Sequence, residues 1–108
     1  MKDFKDVTLD AYQQAALRTL NSKLDARGQL LDAAMGLSEE AGEVLGLIRK
    51  RTLAGRDVSD ERLREELGDA LWCLAVTANA LGMTLSDVAA ANQEKLRARF
   101  PDTPTPES

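Results

Sequence analysis

Two stretches decide the fold: Leu37-Ser38-Glu39-Glu40-Ala41-Gly42-Glu43 and its downstream answer, Glu65-Glu66-Leu67-Gly68-Asp69. Each contains an acid-x-x-acid step, the spacing that sets two side chains one turn apart on a helix. Outward from the first, Leu30, Ala33, Ala34, Leu37, Ala41, Val44, Leu45 and Ile48 gather into one stripe at about 100° per residue. A helix is therefore predicted from about Gln29 to Leu53, closed by Gly55. Glu40 and Glu43 lie along one edge of its stripe, whereas Glu39 points to the opposite side, toward water. Around the second stretch, Leu63, Leu67, Ala70, Leu71, Leu74, Ala78 and Leu81 form the stripe, and Glu66 and Asp69 flank it at nearly the same angular offset. The two helices read as matched halves that bring four carboxylates to one seam.

The remainder of the chain supplies two more helices. Thr8 is placed to cap a first helix from Leu9, whose stripe Leu9, Tyr12, Ala16, Leu20 and Leu24 runs on until Gly28. Arg56-Asp57-Val58 is a loop, and Ser59 caps the third helix, with Asp60 and Glu61 favourable in its first turn. Gly82 closes that helix, and Thr84-Leu85-Ser86-Asp87 starts a fourth that reaches about Arg99. The expected architecture is all-α, a four-helix bundle-like domain over residues 1–100 with a loose tail over 101–108, where all three prolines lie.

Composition agrees. The chain has 108 residues, enough for one domain that buries about two thirds of its unfolded surface. It is 44% hydrophobic and 4% aromatic, rich in Ala and Leu, which favours helices. A formal net charge of −4 gives no basic field for duplex nucleic acid. No apolar run approaches the roughly 18 residues of a membrane span, and the start lacks the apolar core of a signal peptide. Cys73 is the one cysteine, so no intrachain disulfide forms and a reducing cytoplasm is the expected setting. Trp72 and Val76 lie away from the leucine stripe of the third helix; either the first and fourth helices wrap that side, or a second subunit covers it in a homodimer or homotetramer, the expectation adopted.

The acids point to a cation. From Gly28 to Ile48 there is no Lys or Arg, and none from Glu65 to Glu94, so Glu40, Glu43 and Asp69 have no cation within one turn, and Glu66 alone can reach back to Arg62. Each like-charge pair at about 4 Å opposes folding by about 4 kcal/mol at an effective dielectric of about 20. Oxygen ligands without His or thiolate pairs select Mg²⁺, with Mn²⁺ the other option, and Mg²⁺ held by carboxylates goes with phosphoanhydride substrates. Gly42, Gly46 and Gly68, inside predicted helices, are consistent with a close helix approach around such a cage or with tight packing unrelated to it.

Glu39-Glu40-x-x-Glu43, followed after 22 intervening residues by Glu66-x-x-Asp69, resembles the signature of the MazG-like all-α nucleotide pyrophosphohydrolases. The resemblance runs from Leu9-Asp10-Ala11-Tyr12-Gln13 to Asn92-x-x-Lys95-Leu96-x-x-Arg99-Phe100-Pro101. It implies hydrolysis of a nucleoside triphosphate to the monophosphate and pyrophosphate, with Mg²⁺ held by Glu40, Glu43, Glu66 and Asp69 and the attacking water positioned or deprotonated by Glu39. It further implies phosphate contacts from Asn92 and Lys95, with Lys50 a weaker candidate, and a contact of Tyr12 or Gln13 with the base, although Tyr12 also fits the core stripe. Many relatives of this short type carry His-Gly and a Tyr where this chain has Ala54-Gly55 and Cys73. The rival readings are a helical nucleotide-binding or oligomerisation module without turnover, and a phosphoribosyl-ATP or pyrimidine-selective hydrolase.

Overall fold

Side-chain caps set where the helices begin. Thr8, Asp25, Ser59 and Thr84 each stand in extended backbone and accept from the N–H three residues on. The helices that follow are α1 (Leu9–Leu17), α2 (Ala26–Thr52), α3 (Asp60–Ala80) and α4 (Leu85–Arg99), seen in a computed structural model that describes residues 6–102. No strand occurs among the described residues, so the fold is all-α as predicted. Gly55 and Gly82, at φ 64° and 77°, close α2 and α3 in the left-handed conformation that glycine adopts without strain. Thr84 and Asp87 form a reciprocal capping box at the head of α4. Of the predicted tail, Pro101 and Asp102 lie in a turn and 103–108 fall outside the described residues.

The first helix is shorter than its stripe of apolar residues suggests. It ends at Leu17 rather than near Gly28, and α2 begins at Ala26, three residues ahead of the predicted Gln29. Asp25 is the cause: its Oδ1 accepts from Gly28 N at 2.7 Å, which makes Gly28 part of the first turn of α2 instead of a stop. Between the helices, Thr19 Oγ1 donates to Ala16 O and accepts from Trp72 Nε1, both at 2.7 Å, which ties the connection to α3.

α2 and α3 run antiparallel, since partners descend on α2 as they rise on α3: Arg51 with Asp60, Glu43 and Glu40 with Glu66, Gly36 with Cys73. Among the described residues α2 packs on α3 alone, while α1 and α4 pack on each other and on α3. α4 turns through 98° from the direction of α3, which lets it lie against the C-terminal half of that helix beside α1. Ala75, Ala78, Ala16 and Leu85 form the buried centre there, with Tyr12 and Trp72 packed against it. Val76 is also buried. α1 and α4 therefore cover the Trp72 and Val76 side of α3, and these two residues call for no second subunit.

The uncovered apolar surface lies elsewhere. Leu67, Leu71, Leu74 and Leu81, four of the residues predicted to face the core from α3, are exposed, as are Leu45 and Ile48 of the predicted α2 stripe; Leu67 and Leu45 are 56% and 57% exposed. The periodicity identified the apolar faces correctly but not which of them this chain covers by itself.

Gln13 pins the small core together. It is 2% exposed, donates from Nε2 to Ala75 O at 3.0 Å and Met83 O at 3.2 Å, and accepts from Leu85 N at 3.1 Å through Oε1. One amide thus joins α1 to α3, to the α3–α4 turn and to the first residue of α4. Gln13 is enclosed in this role and is not on the walls of the cavities beside the acids, unlike the base contact that the resemblance implied. Gln13→Leu is expected to lower unfolding stability by about 2–3 kcal/mol, because it leaves a buried N–H and carbonyls unpaired. Urea denaturation checks this, and a loss below about 0.5 kcal/mol would show that the bonds are replaced by water.

Candidate metal centre at the α2–α3 seam

The acid-x-x-acid steps meet where the helices were predicted to face each other. Glu40 and Glu43, one turn apart on α2, and Glu66 on α3 each offer a carboxylate oxygen, and these oxygens all lie within 4.8 Å of one another. Glu66 is buried at 9% exposure, Glu40 is half-buried and Glu43 is exposed, so the group opens from the seam toward solvent. Among the described residues the only cation in contact is Arg62, one turn before Glu66, with Nε 3.5 Å from Glu66 Oε1. Glu40 Oε2 and Glu66 Oε2 are buried with no hydrogen-bond partner among the described residues.

Two buried acceptors facing each other without a donor need either a shared proton or a cation. Without a cation the proton is the answer. Contact with Glu66, then burial and the charges of Glu43 and Asp69, push the Glu40 carboxyl up to about 7. Glu43 is raised too, chiefly by Glu66, against an opposing pull from Arg62. Glu66 is held below the ordinary value because Glu43 and Glu40 both share protons with it and Arg62 stands beside it. A set of unpartnered carboxylate oxygens, with no nitrogen or thiolate among the group, fits a hard divalent ion such as Mg²⁺ or Mn²⁺.

Asp69 stands one turn beyond Glu66, outside the tight trio, and lines a cavity of about 450 Å³ with Asp32, Met35, Gly36, Glu39, Glu40, Trp72 and Cys73. Glu39 is exposed, as its outward angle predicted, yet it shares this cavity wall with Glu40. Lys50 lines a neighbouring cavity with Glu43, Arg62 and Glu66. Asn92 and Lys95 are exposed on α4, which does not pack on α2, and neither lines the cavities that hold the acids. The structure thus gathers Glu39, Glu40, Glu43, Glu66, Asp69 and Lys50 around one seam and leaves Asn92 and Lys95 apart from it.

The cavity wall contains residues that the search for acids passed over. Asp32, Met35, Gly36, Glu39 and Glu40 recur at steps of three and four, which was a legible sign of a second, polar face on α2. Gly36 is small for a reason: a Cβ there would stand 3.0 Å from Cys73 Sγ. Gly42, Gly46 and Gly68 have open space where a Cβ would be, so they do not mark a close approach of helices. Cys73 is buried, and its thiol is pushed up first by that burial and then by the acids Glu40, Asp69, Asp32 and Glu39, which keeps it protonated and poorly nucleophilic. The Tyr12 hydroxyl is likewise raised, by burial first and then by the charge of Asp69.

Removal of cations should expose the strain in the trio. Between the ordinary value of 4.5 and about 7, folded protein without metal keeps a proton on Glu40 that the unfolded chain has released, so its stability falls as pH rises through that window. The depressed Glu66 acts with the opposite sign, in the range below its ordinary value. Chelator-treated protein is expected to melt at a higher temperature near pH 5.5 than near pH 8, with added Mg²⁺ restoring the loss at the higher pH. A melting temperature that climbs from about pH 5.5 to about pH 8 without cation would contradict the shared proton.

The acidic seam lies within a stretch that matches a known family. Residues 30–103 match the family model of the MazG nucleotide pyrophosphohydrolase domain, a span that holds every member of the acidic seam. The chain is 40% identical over 74 residues to the uncharacterized protein YvdC of Bacillus subtilis (strain 168), covering 59% of this chain and 69% of that one. It is 36% identical over 99 residues to the Gene 37 protein of Mycobacterium phage L5, covering 84% of this chain and 87% of the relative. No solved structure matches.

Proposed function

The chain belongs to the MazG nucleotide pyrophosphohydrolase family, and from that premise we propose that it is a Mg²⁺-dependent enzyme that hydrolyses a nucleoside triphosphate to the monophosphate and pyrophosphate. The observation that carries the reading is the trio Glu40, Glu43 and Glu66, whose buried Oε2 atoms on Glu40 and Glu66 lack any donor. These residues, with Asp69 from the adjoining cavity, would hold the divalent ion. Mg²⁺ is the first choice and Mn²⁺ the second, and when bound such an ion neutralises phosphate charge and makes the phosphorus more open to attack by water.

The protein's own side chains supply the rest. Glu39, on the cavity wall next to Glu40, takes the proton of the attacking water as general base. Met35, Trp72 and Cys73 give the same cavity apolar walls suited to a flat base. Cys73 contributes a small side chain to that wall. Asn92 and Lys95 line neither cavity, so they would meet phosphate only if α4 of a neighbouring copy reached the seam. We place the reaction in the cytoplasm, where nucleotides and Mg²⁺ are plentiful and Cys73 stays reduced; no single helix among the described residues is long and apolar enough to cross a membrane.

Pyrophosphate release from a panel of nucleoside triphosphates with Mg²⁺ tests the activity. Glu43→Gln and Asp69→Asn are each expected to reduce turnover by about 100-fold or more while the helical circular dichroism is kept. Retained turnover in both variants would remove the metal assignment, and Mg²⁺-dependent nucleotide binding without release of pyrophosphate from any nucleotide would favour a binding module.

The assembly is a homodimer or a pair of dimers in the same proposal. Leu31, Leu45 and Ile48 on α2, with Leu67, Leu71 and Leu74 on α3, are exposed and fall within about 100° and about 60° of arc on their helices. Two such hairpins from two copies would close a bundle that a single chain leaves open, since α2 packs on α3 alone. Leu71→Glu together with Leu45→Glu is expected to halve the particle mass measured by light scattering; an unchanged mass, or a wild-type monomer, would contradict this interface.

A further inference from the structure

The acidic trio stands beside two cavities of different character. The one lined by Met35, Trp72 and Cys73 is described above. On the side toward the α2–α3 connection, a cavity of about 260 Å³ is lined by Glu43, Gly46, Leu47, Lys50, Arg62 and Glu66. Leu47, Lys50 and Arg62 are also walls of a second cavity of about 380 Å³, to which Arg56, Asp57, Val58 and Ser59 contribute. Shared walls make the two one groove, leading from the trio to the first turn of α3.

Its charge is opposite to that of the trio. Beyond Glu43 and Glu66, the groove carries Lys50, Arg56 and Arg62 against a single acid, Asp57. Lys50 and Arg56 make no ion pair among the described residues. Arg51, next to Lys50 in the chain, is paired with Asp60 at 2.5 Å and is absent from the groove walls. Arg62 touches Glu66 through Nε, which leaves the outer edge of its guanidinium able to take a second anion. The backbone holds Arg56 in place: Gly55, at φ 64°, reverses the chain, and Arg56 N donates to Lys50 O at 2.9 Å. The first turn of α3, capped by Ser59, adds the partial positive charge of a helix N-terminus.

We infer that the groove of Lys50, Arg56 and Arg62 receives the terminal phosphates of the substrate, so that the substrate lies across the trio with its nucleoside on the Trp72 side. The inference rests on the hydrolase reading above. It also accounts for where the chain breaks: with the β- and γ-phosphates in the groove, the phosphorus at the trio is the α one. The oxygen of water bonds to that phosphorus and its proton passes to the general base. The bridging oxygen leaves with the bonding pair on pyrophosphate, whose charge the three cations offset. A nucleoside diphosphate fills only part of the groove and gains less from its outer end.

Calorimetric titration of the full chain with inorganic pyrophosphate in the presence of Mg²⁺ tests this without any turnover. Arg56→Gln and Lys50→Gln are each expected to weaken pyrophosphate binding about tenfold, a typical effect of one charge-assisted contact. Arg97→Gln, an exposed cation in the last turn of α4, is expected to leave it unchanged. In parallel, Arg56→Gln should lower kcat/KM for a triphosphate several-fold more than for the corresponding diphosphate. Unchanged pyrophosphate binding in both groove variants, or an equal loss in Arg97→Gln, would overturn the proposal. The two readings fail separately: groove-dependent binding without hydrolysis of any nucleotide removes the enzyme and keeps the groove, and hydrolysis with groove-independent binding does the reverse.

Discussion

Glu40 and Glu66 oppose each other inside the only interface that, among the described residues, holds α2 to the rest of the chain, and neither buried Oε2 has a donor there. An interface built around like charges is a poor source of stability. Carboxylates this close repel one another, and while both are charged no hydrogen bond between them offsets the repulsion. The seam therefore holds because apolar contacts along the long α2 outweigh a local repulsion, and because a proton or a cation relieves that repulsion. Stability and chemistry are coupled at this point: whatever neutralises the trio also clamps the helix hairpin.

The other half of the molecule contrasts with the seam in its completeness. Where α1, α3 and α4 meet, the buried amide of Gln13 satisfies both of its ends, with three hydrogen bonds to backbone groups. Side chains there are small, mostly alanine, so the helices approach closely and Tyr12 and Trp72 seal the edges. This rigid end fixes the C-terminal half of α3, and with it the wall of the cavity that carries Asp69, Trp72 and Cys73. Frustration is thus confined to one seam and supported by a neighbour that has none, the usual arrangement for a site that must bind something.

Much of this was legible in the residues. Four acids at matched offsets from two apolar stripes were enough to predict a common seam, and the trio is found there, because helical periodicity fixes relative angle whatever the tertiary context. Thr8, Ser59 and Thr84 marked their helix starts for an equally local reason, a side-chain oxygen answering an N–H three residues away. Local rules also explain the misreading near Gly28: two signals competed within four residues, and the Asp25 cap prevailed over the glycine stop. Which apolar face is covered is not local at all. Leu67, Leu71 and Leu74 look more like core than Ala75 and Ala78 do, yet the alanines are buried, because their small size lets α1 and α4 come close.

The groove by the α2–α3 connection shows a further limit of motif reading. Lys50, Arg56 and Arg62 lie at irregular spacing on a helix end, a loop and the next helix, so no periodicity connects them. They converge because the chain reverses at Gly55 and the antiparallel pairing of α2 with α3 brings Arg62 back beside Glu43 and Glu66. The same reversal that places acids opposite acids in the seam places cations opposite cations just beyond it. Two like-charged clusters of opposite sign, side by side and each unfavourable alone, are stabilised together by a ligand that is itself a chain of anions bound through a cation. A nucleotide polyphosphate with its divalent ion has that alternation of charge, and it is the electrostatic reason for reading both clusters as one site.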